Sequence, residues 1–186
     1  MAMWFFLLGL PLLGGGLAAL FCASGAARAL TAFPRSRTAG VLLCAVAWFW
    51  TAHACETIGI EVFDRFLKAF PGEVWILAAV LTALTCWWME NLLPVRGVCA
   101  LFMLFPGELF PAIRLCDTPW RLTLVVFAYV CAVAGMFGMF YPWRVRQTCA
   151  WLAERTSRVR ATGAALAGLG ALFAVLGGLA AAGALK

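Results

Sequence analysis

Long stretches of this chain carry no charged side chain, and they constrain the fold more than any other feature. The first charged residue is Arg28, and uncharged stretches also fill residues 122–143 and 161–185. Each stretch exceeds the roughly 20 apolar residues that a helix needs to cross a bilayer. The chain is 65% hydrophobic and 12% charged, whereas soluble domains are about 45–50% apolar and about 25% charged. The sequence therefore predicts an all-α, multi-pass integral membrane protein.

Six apolar segments predict a bundle of about six transmembrane helices, in a single domain over residues 1–186. The segments lie near residues 3–24, 39–60, 74–93, 98–115, 122–143 and 161–185. The first is expected to be a retained span, because a signal peptide starts with basic residues. The fourth contains Pro106-Gly107 and Pro111, so we expect a kinked or broken helix there, with a re-entrant loop as the alternative.

The basic residues between the segments predict the orientation. With six spans, one side of the membrane holds Arg28, Arg35, Arg37, Arg96, Arg144, Arg146, Arg155, Arg158 and Arg160, and the other holds Arg65, Lys68, Arg114, Arg121 and Lys186. Because the more basic side faces the cytoplasm, both termini are expected outside. A five-span chain would divide the basic residues equally. We expect a bacterial cytoplasmic (inner) membrane as the location.

Two connecting segments have the pattern of amphipathic interfacial helices. Residues 61–70 place apolar side chains on one helical face and charged ones on the other. Residues 144–160 carry a narrower apolar stripe, and Glu154 and Arg158 are spaced to pair. The basic face of this second segment comprises Arg144, Arg146, Arg155, Arg158 and Arg160. We expect these arginines to contact anionic lipid headgroups, with a partner protein as the alternative. No nucleic acid is expected.

Four ionisable side chains are the candidate site, because they fall inside predicted spans. They are His53, Glu56, Glu90 and Glu108. His53 and Glu56 share a helical face, being three residues apart. Charged groups at membrane depth are costly unless paired, and in transporters they carry protons or cations. A polar cluster that conducts protons or cations is therefore one interpretation.

A second interpretation of these acids is structural, and a third is that they bind a ligand or lipid. Glu56 would be hydrated at the interface, Glu108 would pair with Arg114, and Glu90 would pair with Arg96. Tryptophans near the ends of the spans are typical of an aromatic belt.

Small residues recur at every fourth position of the last span. They are Gly170, Ala174, Gly178 and Ala182, and the first span repeats the pattern at Gly15, Ala19, Ala23 and Ala27. Small residues at this spacing let helix backbones approach closely. These faces either pack within the monomer or, in the last span, dock another subunit.

No catalytic, metal or cofactor motif stands out in the sequence. The eight cysteines form no CxxC, the only histidine is His53, and the GxSxG, P-loop and HExxH patterns are absent. A haem or pigment on His53 stays open. We therefore expect no metal or cofactor, and a non-catalytic accessory or scaffolding subunit that binds other membrane subunits or a copy of itself. The alternative is a small transporter or channel for protons, cations or a small solute.

Overall fold

The computed structural model describes residues 2–57, 72–89, 92–114 and 118–183, which form eight α-helices. They are α1 (Ala2–Phe21), α2 (Ala23–Ala32), α3 (Arg37–Thr57), α4 (Glu73–Trp88), α5 (Leu93–Ile113), α6 (Arg121–Phe140), α7 (Pro142–Ala153) and α8 (Thr156–Ala181). A 3₁₀ turn at Phe33–Arg35 precedes α3. The described part of the chain contains no strand, which confirms the predicted all-α class.

Five of these helices, α1, α3, α5, α6 and α8, are long and apolar enough to cross a membrane. Helix α4 corresponds to the third predicted span, but it is a shorter apolar helix of 16 residues. At 1.5 Å per residue it is about 24 Å long, less than the ~30 Å hydrocarbon core of a bilayer. The six predicted spans therefore appear as five helices of spanning length and one short helix.

The fourth predicted span is one continuous helix, so the expected break there is wrong. Helix α5 runs through both Pro106 and Pro111. Each proline removes one backbone hydrogen bond, from the carbonyl groups of Phe102 and Gly107. Apolar helices tolerate such losses when side chains of neighbouring helices pack around the proline, and Pro106 is buried.

The sequence pattern predicted one helix over residues 144–160, but this segment is divided between two helices. Helix α7 ends inside it at Ala153 and α8 begins at Thr156, with Arg155 extended between them at φ −129° and ψ 122°. The predicted pair of Glu154 and Arg158 is confirmed, with 3.1 Å between Oε2 and Nη1. The same Nη1 donates to the Trp151 carbonyl oxygen at 2.7 Å. The arginine thus bridges the turn between two helices. The other predicted interfacial helix, 61–70, lies outside the described residues.

The described residues group into two compact units. The first unit comprises Met1–Ala32, Leu109–Ala128 and Arg146–Lys186, and the second comprises Phe33–Glu108 and Tyr129–Val145. A single domain for the whole chain stays a prediction.

In the first unit, α1 and α8 pack antiparallel along a seam of glycines. A Cβ on Gly16 would lie 2.7 Å from the carbonyl oxygen of Gly163, and one on Gly9 would lie 3.0 Å from that of Gly170. The two backbones therefore touch, as small residues allow. On each helix the seam glycines are seven residues apart, a repeat that keeps one face toward a neighbouring helix.

This seam divides the small-residue face predicted on the last span. Gly170 lies in the seam and the backbone of Ala174 borders it, whereas Gly178 has open space around it and Ala182 is exposed. With 3.6 residues per turn, a four-residue step drifts about 40° around the helix, but a seven-residue step drifts only about 20°. Residues that follow each other at four-residue spacing therefore turn progressively away from the face that contacts α1.

Aromatic rings close the first unit at one end of this seam. The ring of Phe173 on α8 meets Phe5 on α1 edge to face, with centroids 5.9 Å apart. Phe127 on α6 meets the same ring at 5.2 Å. Edge-to-face pairs of this kind contribute about 0.5–1.5 kcal/mol beyond the burial of their area. Phe173 thereby joins three helices.

Replacing Gly16 with leucine is expected to lower the stability of the fold. The new side chain would meet the backbone of α8, and overpacking costs about 1–3 kcal/mol even where side chains can move aside. Gly15→Leu is the matched control, because a Cβ on Gly15 meets nothing within 4 Å. Thermal unfolding in detergent should show a lower midpoint for Gly16→Leu than for Gly15→Leu, and equal midpoints would contradict the seam.

Candidate functional site

Glu108 on α5 accepts a hydrogen bond from the indole of Trp50 on α3, within the second unit. The distance from Nε1 to Oε1 is 3.1 Å, and the bond is partly buried. The two helices run parallel, because Gly40 at the start of α3 lies against Leu93 at the start of α5. The indole N–H can only donate, and the carboxylate oxygen accepts it. The bond therefore satisfies the indole, gives one oxygen of Glu108 a partner, and links α5 to α3.

Glu56 on α3 accepts the same kind of hydrogen bond from a tryptophan on α4. Near the end of α3, its Oε1 accepts a hydrogen bond from Nε1 of Trp75 on α4 at 2.8 Å, in an exposed setting. The Trp75 ring also stacks on Phe49, with centroids 6.0 Å apart. Farther along, Trp48 donates to the hydroxyl of Thr85 at 3.1 Å. The order of these contacts shows that α4 runs antiparallel to α3.

The two indole–carboxylate bonds lie at one end of the second unit, where α3 and α5 end and α4 begins. His53 is exposed on α3, three residues from both Trp50 and Glu56. The structure therefore brings His53, Glu56 and Glu108 to one end, with each carboxylate on its own indole. Among the described residues, no three His, Cys, Asp or Glu side chains are grouped as a metal site would need. Glu90 lies outside the described residues.

The opposite end of the second unit holds Arg96, in the first turn of α5. Its Nη1 donates to the Sδ of Met89 at 2.7 Å, and a thioether is a weak acceptor. Its Nε is buried and has no hydrogen-bond partner within the described part of the chain. A cavity of about 260 Å³ lies beside this guanidinium, bordered by α3, α4, α5 and the end of α6.

Among the described residues of the second unit, charge is segregated between the two ends. Helix α6 runs antiparallel to α5, because Gly138 near its end lies against Cys99 near the start of α5. The end that contains the start of α3 therefore carries Arg35, Arg37, Arg96 and Arg144, and the other end carries Glu56, Glu73 and Glu108. The basic residues belong to the set that the sequence assigns to the cytoplasmic side.

The arginines predicted to bind lipid headgroups differ in exposure. The exposed ones are Arg144, Arg146, Arg155 and Arg160. Arg158 is only partly exposed, and its guanidinium carbon lies 4.0 Å from the centre of the Trp151 ring. Arg158 thus contacts the turn between α7 and α8, and for the exposed four the contact with headgroups stays a prediction.

The cysteines of the described residues form no disulfide there. Cys44, Cys99 and Cys131 are buried, and Cys149 on α7 is partly buried. Burial raises the pKa of the Cys149 thiol. Since the thiolate is the reactive form, this cysteine is a poor nucleophile at neutral pH.

The chain was compared with protein-family models, curated proteins and solved structures, and none of the three comparisons finds a match. The geometry therefore carries the functional argument. The sequence had singled out the acids but had considered water and arginines as their partners, and it missed the indole donors Trp50 and Trp75. Trp50 had been assigned to an aromatic belt and Trp75 had been given no role, and nothing in their spacing marks either one as a hydrogen-bond donor to a carboxylate.

Trp50→Phe is expected to destabilise the protein more than Trp75→Phe. The first change leaves a partly buried carboxylate without its donor, which costs about 1–3 kcal/mol, whereas water can replace the exposed donor to Glu56. Glu108→Gln is the control, because its amide oxygen can still accept from Trp50. Thermal unfolding in detergent, monitored by circular dichroism, should give Trp50→Phe the lowest stability of the three variants. A lowest stability for Trp75→Phe would refute this assignment.

Proposed function

We propose that this chain is a multi-pass membrane protein that acts without catalysis, as an accessory or scaffolding subunit of a larger membrane complex. The observation that carries the proposal is the bonding of its acids. Glu56 and Glu108 each accept an indole N–H from a neighbouring helix. A carboxylate on a transport path exchanges protons or cations with a hydrated route. A carboxylate bound to an indole instead holds two helices in place.

Helix α4 is the surface that best fits a partner subunit. It packs on α3, and its other face carries exposed apolar side chains. These are Ile76, Val80, Leu84, Trp87 and Trp88, the two tryptophans being 84% and 87% exposed. A helix about 24 Å long is shorter than the hydrocarbon core, and oligomerisation is one of the ways in which such a mismatch is relieved. An apolar helix of another subunit would cover this face.

The proposed orientation places the basic end of the second unit in the cytoplasm. Support comes from the segregation of Arg35, Arg37, Arg96 and Arg144 from the three glutamates at the other end. A basic cytoplasmic end fits the positive-inside rule. The exposed arginines of α7 and the α7–α8 turn would then contact anionic headgroups of the inner leaflet, each contributing about 1 kcal/mol.

The accessory role predicts that other membrane proteins co-purify with the tagged full-length chain after extraction in digitonin. The double variant Val80→Ala/Leu84→Ala removes two apolar side chains from the exposed face of α4. It is expected to lower recovery of the partner severalfold. Leu172→Ala/Val175→Ala is the matched control, because it removes similar exposed side chains from α8. Quantitative mass spectrometry of the eluates measures the loss.

Two outcomes would contradict the accessory role or its placement. A chain that stays alone and drives a proton or cation flux in liposomes, abolished by Glu108→Gln, would show a transporter instead. Gly178→Leu places a side chain in the open space beside α8. If this variant alone lost the partner, the docking face would lie on α8 and not on α4.

The orientation predicts which side of the membrane exposes α7. Gln147 is exposed there, so Gln147→Cys in a cysteine-free chain should react with a membrane-impermeant maleimide in inverted vesicles. In right-side-out vesicles, labelling should fall to the level of the cysteine-free chain. The reverse pattern would invert the proposed orientation.

A further inference from the structure

Arg96 is the charged residue among those that line the cavity between α3, α4 and α5. Three other polar side chains line it: Trp48, Thr51 and Thr85. Trp48 donates to the Thr85 hydroxyl at 3.1 Å, and the two threonines donate to backbone carbonyl groups of their own helices at 2.8 and 2.6 Å. These donors are already used within the protein. Of the guanidinium N–H groups of Arg96, one on Nη1 donates to the thioether of Met89, and the buried Nε has no partner among the described residues.

A guanidinium with a buried, unpartnered N–H calls for an anionic acceptor. A buried donor left unsatisfied costs about 1–3 kcal/mol, and more when it is charged. Arginine matches carboxylate and phosphate oxygens through charge-assisted bonds. The thioether of Met89 accepts a hydrogen bond from Nη1 of Arg96 at 2.7 Å. A ligand oxygen that displaces this thioether would replace a weak bond with a strong one.

The remaining residues that line the cavity are apolar, and the cavity extends from Arg96 along the helices. They are Cys44, Ala47, Leu93, Gly97, Ala100 and Met139. Ala100 lies one turn beyond Arg96 on α5, and the lining residues of α3 extend over seven positions, about 10 Å of helix. The volume of about 260 Å³ equals roughly nine waters at ~30 Å³ each. A cavity of this length and volume fits a narrow apolar tail whose charged group lies beside Arg96 at the start of α5.

We propose that this cavity binds a single-chain amphiphilic anion, whose carboxylate or phosphate meets Arg96 and whose short hydrocarbon tail lies between α3, α4 and α5. The charged end lies at the basic end of the second unit, and the tail points along the helices. An amphiphile in one leaflet of a bilayer has the same polarity, with its headgroup at the interface and its chain in hydrocarbon. The site is independent of the accessory role proposed above.

The test uses the full-length protein in phosphatidylcholine nanodiscs, with decanoate as the probe. Decanoate brominated on its chain should quench tryptophan fluorescence saturably, and Trp48→Phe should remove that component because Trp48 forms a wall. Arg96→Gln should weaken binding at least about tenfold, since it removes a charge-assisted bond. Arg37→Gln, which removes an exposed arginine from the same end, should leave binding unchanged. Decanol and acetate should bind far more weakly than decanoate.

A second variant keeps the test decisive if Arg96→Gln does not fold. Ala100→Leu narrows the tail end of the cavity, so it should shift the preferred carboxylate from ten carbons toward six. Equal affinity for decanol and decanoate, or an unaltered chain-length preference in Ala100→Leu, would overturn the proposal.

Two further arms separate the sources of the anion. If phosphatidylglycerol in the nanodisc displaces decanoate, the anion is a headgroup of the surrounding bilayer and the single-chain ligand is refuted. If decanoate binds to Glu90→Gln and not to the unaltered protein, the carboxylate of Glu90 occupies the site and the proposal fails. Binding to the unaltered protein that phosphatidylglycerol does not displace supports it.

Discussion

Close approach of helix backbones at glycine is the contact on which this structure depends most. The chain exposes large apolar side chains on nearly every helix, so its surface is about as apolar as its interior. Between such helices in a bilayer, burial of apolar area gives little preference for one arrangement, and tight packing must supply it. Gly16 and Gly163 bring α1 and α8 into backbone contact, and Gly97 does the same for α5 against α3. The positions of the other side chains follow from these contacts.

Polar bonds then select the register within the second unit. Glycine contacts allow helices to approach but permit sliding, whereas a hydrogen bond between Trp50 and Glu108 forms in one register only. The bond of Glu56 to Trp75 does the same for α4. Without its indole donor the partly buried carboxylate of Glu108 would be left unsatisfied, whereas water can reach the exposed Glu56. The same side chains that raised the possibility of transport thus each link two helices, which is the observation behind the proposed structural role.

The sequence predicted the features that depend on a single helical segment. It failed for the contacts that depend on which neighbouring helix packs against that segment. Apolar segments located the five long helices of the described residues. Spacing alone paired Glu154 with Arg158, because four residues bring these side chains together even across a turn. The prolines of α5 were misleading, since tolerance of Pro106 depends on what packs around it. Likewise, the four-residue stripe from Gly170 to Ala182 looked like a contact face. The partner helix uses a seven-residue repeat instead, and no single segment reveals which repeat its neighbour will meet.

The arrangement of charge in the second unit cannot come from the electrostatics of its helices. A helix macrodipole favours acids at the start and bases at the end, by about 0.3–1 kcal/mol each. Helix α3 does the reverse, with Arg37 at its start and Glu56 near its end, and α5 repeats this with Arg96 and Glu108. A constraint outside the helices must therefore outweigh the dipoles. The proposed orientation supplies it, because basic residues retained at the cytoplasmic face would gather at one end whatever the direction of each helix. Of these basic residues, Arg96 also lines the cavity between α3, α4 and α5, which is why the proposed anion site is placed there.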